Sequence, residues 1–94
     1  MYALVIIRYG KPLDEVQKVT DAHRAWLAGW RDRGMLLASG PFVPRTGGAL
    51  LLRVPDEATL AQIRDGDPFV KTGTATYEIN VWSPTIGADA LAKL

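Results

Sequence analysis

"YALVIIRYGKPLDEVQKVTDAHRAWLAGW", Tyr2 to Trp30, changes its apolar period part-way along, and that change sets the fold. Tyr2 to Tyr9 is β-branched and aromatic and is bounded by Gly10 and Pro12, so it reads as a strand. Its alternate sets, Tyr2, Leu4, Ile6, Arg8 and Ala3, Val5, Ile7, Tyr9, are both mostly apolar, and both faces of this strand therefore need cover. Further on the spacing lengthens to three and four. Val16, Val19, His23, Trp26, Leu27 and Trp30 form one helical stripe, while Asp21, Arg24, Arg31 and Asp32 fall off it. Asp14 is the expected N-cap, paired with Gln17 in a capping-box-like arrangement, and Gly34 supplies the left-handed residue that ends many helices.

Working outward, "MLLASGPF" (Met35 to Phe42) reads as a second strand, "VPRTGG" as a turn and "ALLLRV" (Ala49 to Val54) as a third strand. Pro55 and Asp56 open a shorter helix through "EATLAQIRD", closed near Gly66. "DPF" follows as a tight turn, because the residue before a proline avoids the helical region. "TATYEINVWS" (Thr74 to Ser83) is the last strand, and "IGADALAKL" is either a short amphipathic helix or a frayed end.

The order β-α-β-β-α-β specifies an α+β, ferredoxin-like sandwich: a four-stranded antiparallel sheet with two helices on one face. The apolar residues of the other face then need a partner, and a second copy of the sheet is the simplest one, giving a homodimer. The 94 residues make one domain, expected over 1–84 with a tail over 85–94. Eleven basic and ten acidic residues leave a formal charge of +1, with no Lys/Arg run, which argues against a nucleic-acid partner. The absence of cysteine removes disulfides, thiol nucleophiles and thiolate metal sites. "MYALVIIRYGK" lacks a basic leader and is too short to span a bilayer, so a soluble cytoplasmic protein without membrane contact is expected.

His23 is the only histidine. Lying four residues from both Val19 and Leu27, it must sit on or beside the helix face that packs on the sheet. It is either a core histidine bonded to a backbone carbonyl or the centre of a site. Two stretches favour the second reading. In "ASGP" (Ala38 to Pro41), Ser39 offers a hydroxyl, Gly40 permits close approach of backbone to a ligand, and their amides would face a developing oxyanion. In "DGDPF" (Asp65 to Phe69), Pro68 would hold the Asp67 carboxylate in a definite direction. A carboxylate on one imidazole nitrogen orients the ring and selects its tautomer, the arrangement used in general acid–base catalysis. Taken alone, Asp67 reads as a helix-end or turn cap, and Ser39, Gly40 and Pro41 as a strand-ending bulge and turn.

The combination of "H…L……G.LLASGP" (His23 to Pro41), a glycine-containing turn, a strand, a helix and "DPF" resembles the YCII-related (YciI-like) family over roughly Met1 to Pro84. That resemblance implies a ferredoxin-like dimer with a His–Asp pair at an active site, mapped here onto His23 and Asp67. It places the Gly-Pro after the second strand at Gly40 and Pro41, beside Ser39. A few members of the family are dehydrochlorinases of chlorinated hydroxyquinols, and most have no assigned reaction.

Arg8 interrupts an apolar strand face; it is either a holder of an anionic substrate group or a salt-bridged edge residue. Trp26 and Trp30 read as core residues or as pocket-edge aromatics that stack on a planar ligand, and Arg45 and Arg53 as solvated loop and strand charges. "TGG" lacks the following helix of a phosphate loop, and no acidic cluster accompanies His23, so neither a cofactor nor a metal is expected. Three functions compete. The first is an acid–base enzyme acting by proton abstraction or elimination on a small cyclic or aromatic hydroxylated compound. The second is a non-catalytic dimer that binds or senses a small molecule. The third is an interaction protein in which His23 is core.

Overall fold

In the computed structural model, which describes residues 1–94, the chain runs β1 (Tyr2–Tyr9), α1 (Leu13–Asp32), β2 (Leu36–Pro41), β3 (Gly47–Arg53), α2 (Glu57–Gly66), α3 (Pro68–Lys71), β4 (Ala75–Trp82) and α4 (Ala88–Ala92). The four strands form one antiparallel sheet in the order β2-β3-β1-β4. β1 is therefore central, which is why both of its alternate sets are apolar. Ala3, Val5 and Ile7 are buried on the face that receives the helices, together with Leu36, Leu50, Leu52 and Ala75 from the other strands. α1 contributes Val16, Leu27 and Trp30 to this core, α2 contributes Leu60 and Ile63, and α3 contributes Phe69. The far face carries Tyr2, Leu4, Ile6 and Arg8, with Leu4 37% exposed and Trp82 of β4 40% exposed. No helix is long and apolar enough to cross a membrane.

Two expected boundaries move. α1 begins at Leu13, with Pro12 rather than Asp14 at the cap and no side-chain cap bond. The Pro12 carbonyl accepts from the amides of Glu15 and Val16, so Asp14 lies inside the first turn, where a negative charge meets the positive helix end. "DPF" is not a free turn but the start of α3. Asp67 itself stays extended (φ −67°, ψ 125°), as a residue before proline must, while Pro68 occupies the first helical position, where its missing N–H costs nothing.

Two glycines set distances around the future site. A Cβ at Gly48 would lie 2.7 Å from the carbonyl oxygen of Gly40, so β2 and β3 meet there only because residue 48 has no side chain. A Cβ at Gly66, the last residue of α2, would overlap the ring of Trp26. That ring seats against α2 and donates its Nε1–H to the Ile63 carbonyl at 2.9 Å, tying α1 to α2.

Candidate functional site

His23 and Asp67, 44 residues apart in the chain, meet in the packed layer between α1 and the α2–α3 junction. His23 is 8% exposed and Asp67 is fully buried. A carboxylate only accepts, so His23 Nδ1–H donates, at 2.9 Å to Oδ1 and 2.8 Å to Oδ2. Asp67 is itself held from two further directions. Its Oδ1 accepts from the Phe69 amide at 2.9 Å, capping α3, and its Oδ2 accepts from the Tyr77 hydroxyl at 2.5 Å. Capping and histidine binding, read from the sequence as alternatives, are thus performed by one side chain. Burial, followed by the neighbouring Asp67 charge, pushes ionisation of the Tyr77 hydroxyl far above its ordinary range, so this group stays a donor.

Phe69 stacks on the imidazole, with ring centroids 4.0 Å apart and planes 14° apart, and Tyr9 meets Phe69 edge-on at 6.1 Å. The imidazole is therefore fixed in plane by Asp67 and in tilt by Phe69. Every buried side-chain nitrogen and oxygen has a partner, and His23 Nε2 has none in the chain, so Nε2 is the ring atom that reaches solvent. With Nδ1 carrying the hydrogen, Nε2 presents a lone pair.

His23 lines a cavity of about 330 Å³ between α1 and the β2–β3 side of the sheet, walled by Leu27, Leu36, Leu50 and Phe69 among others. Ser39, Gly40 and Pro41 also line it, as ladder residues at the end of β2 opposite Leu50, Ala49 and Gly48. The glycine demanded by close approach is Gly48, since a Cβ at Gly40 would meet nothing within 4 Å.

Arg8 is a correction. Strand alternation puts it on the far face of the sheet, where it pairs with Glu78 at 3.0 Å and takes no part in the cavity wall. Arg45, read from the sequence as a solvated loop charge, is half-buried on the wall instead. It donates from Nε to the Tyr9 hydroxyl at 3.2 Å and from Nη2 to Thr20 Oγ1 at 3.1 Å. Arg53 is also not free: it donates to the Leu91, Ala92 and Leu94 carbonyls and holds the tail. Tyr77 was visible in the sequence only as a strand residue sharing a face with Ala75 and Ile79.

The model of the YCII-related domain matches residues 1–83. The chain belongs to that family. Among curated proteins, none matches the sequence. Among solved structures, the YCII-related chain is similar to the 5-chloro-2-hydroxyhydroquinone dehydrochlorinase of Burkholderia phenoliruptrix, described in complex with 2,5-dihydroxybenzoquinone. The TM-score is 0.77 at 20% identity, over 92% of this chain and 97% of that one. At that identity the likeness establishes a shared fold.

Proposed function

We propose that this YCII-related protein is an enzyme that uses His23 Nε2 as an acid–base group on a small cyclic or aromatic hydroxylated compound. The observation that carries the reading is the split between the two ring nitrogens. Asp67 holds Nδ1–H, while Nε2 stands unpartnered at a walled cavity. A base needs a lone pair facing the substrate and an orienting group behind it. Nε2 takes a hydroxyl proton, and the buried carboxylate stabilises the imidazolium so formed. For an elimination, that proton returns to the ring carbon bearing the leaving group, which becomes tetrahedral. Loss of a second hydroxyl proton then expels the leaving group with its bonding pair. The net change is loss of HX, with no oxidant or reductant required. The dehydrochlorinase activity of the structural relative supports this reaction class.

The test is chloride release from 5-chloro-2-hydroxyhydroquinone. His23→Ala is expected to keep the far-UV circular dichroism of the native fold and to lower turnover by about 10²- to 10⁴-fold. Unchanged turnover in that variant would refute the reading. A compound that binds and is returned chemically intact would assign the cavity to binding alone.

The same reading includes a homodimer formed through the far face of the sheet, supported by the partly exposed Leu4 and Trp82 there.

A further inference from the structure

Three guanidinium groups, those of Arg24, Arg31 and Arg45, line the His23 cavity, and no acidic side chain does. None of the three is within salt-bridge distance of a carboxylate. Asp67 does not offset them from inside the cavity, because it lies behind the imidazole and is fully buried. The opening is thus a cationic patch with apolar walls.

Arg45 is the organised member. Thr20 gives its own hydrogen to the Val16 carbonyl at 2.9 Å, so its oxygen is left to accept from Arg45. Tyr9 accepts from Arg45 Nε, and its own O–H has no other partner in the chain. A guanidinium carries five N–H donors. Two of the groups bearing them are anchored, and the remaining donors of Arg45, together with the Tyr9 O–H, have no acceptor. Planar donors held in this way match a two-oxygen anion better than a neutral hydroxyl. Arg24 and Arg31 are two turns apart on α1, with Ala28 between them on the same wall. Being exposed, they attract an anion without gripping it.

We propose that the natural ligand is an aromatic or cyclic carboxylate, its carboxylate bound by Arg45 and Tyr9 and its ring lying beside His23. The inference rests on the reading of His23 as the reactive group. The spacing suits it: Thr20, which anchors Arg45, precedes His23 by three residues on α1, about 5–6 Å between Cβ atoms and close to the width of one ring. Leu27, Leu50 and Phe69 supply the apolar surface that a ring needs.

The experiment compares 2,5-dihydroxybenzoate with the neutral 2,5-dihydroxybenzamide by isothermal titration calorimetry. The acid is expected to bind at least about tenfold tighter than the amide. Arg45→Gln is expected to weaken acid binding far more than amide binding and so to abolish that preference. Arg45→Lys, which keeps the charge without the fork, is expected to retain only part of it, and serves if the glutamine variant fails to fold. Arg24→Gln with Arg31→Gln is expected to flatten the salt dependence of acid binding. Equal affinity for acid and amide, a preference that survives Arg45→Gln, or no binding of the acid overturns the proposal. The two readings fail separately. Acid bound through Arg45 while no hydroxylated ring compound is turned over defeats only the acid–base reading. His23-dependent turnover of a neutral hydroquinone, with acid and amide bound equally, defeats only this one.

Discussion

Asp67 accepts from three donors on three different elements: the imidazole of α1, the amide of α3 and the hydroxyl of β4. Its two isolated changes should therefore behave differently. Asp67→Asn keeps an oxygen for the Phe69 amide but presents an N–H toward Nδ1, driving the ring hydrogen onto Nε2. We expect a folded protein with turnover lowered by about 10⁴-fold, as the wrong tautomer causes in other His–Asp systems. Asp67→Ala strands the buried donors and should cost about 2–5 kcal/mol in urea unfolding. Tyr77→Phe gives a pH-dependent difference whose sign is set by the raised ionisation of the hydroxyl. The native state keeps the Tyr77 proton where the unfolded chain, near the ordinary value of 10.0, releases it. Its contribution is thus complete below that pH and lost as pH rises above it. At pH 8 the variant should be less stable than the parent by about 1–2 kcal/mol, and by pH 11 the gap should narrow. A gap that is constant or widens would show that Tyr77 does not donate to Asp67 in solution. His23 was legible because a lone imidazole on an apolar stripe is conspicuous. Tyr77 was not, since alternation assigns a strand residue to a face without saying what it meets there.

Among the elements, the α1–α2 contact depends on a missing side chain. Gly66→Ala would push the Trp26 ring away from α2 and is expected to destabilise the fold by about 1–3 kcal/mol. In a Trp26→Leu background that penalty should shrink markedly, and a double-mutant cycle measures the coupling. The floor of the cavity has the same dependence, through Gly48 against the Gly40 carbonyl. Apolar period announced β1 and α1, and strand-favouring composition with capping, proline and glycine signals announced α2 and the other three strands, because all of these are local. They did not announce α3. Its single turn is too short to show a period, and it forms because Asp67 caps it and Thr72 closes it by donating to the Pro68 carbonyl at 2.7 Å. Arg45 was misread for a related reason: a loop has no period, and its contacts are long-range.

For the molecule as a whole, the helix-free face of the sheet is where the proposed homodimer would form. Leu4 lies near its centre on the central strand, between Leu51 of β3 and Asn80 of β4. If two copies pair through this face, Leu4→Asp should convert a dimer into a folded monomer, read as a halving of mass by light scattering at matched concentration. A monomeric parent, or a variant of unchanged mass, would remove the sheet-face dimer. Neither result bears on the His23 cavity, which lies on the opposite side of the sheet.

The local strand, helix and turn signals were sufficient for each element and for the inward placement of His23, because those are decided by neighbours a few residues away. Their order β-α-β-β-α-β then pointed to the α+β sandwich with its antiparallel sheet. The contact of His23 with Asp67, which the sequence assigned only through the family resemblance, required the packed chain, as did the support from Tyr77, the placement of Arg8 on the far face and the recruitment of Arg45 to the cavity. Those depend on strand register and on which loop crosses which helix. Such contacts join residues tens of positions apart, where local spacing carries no information.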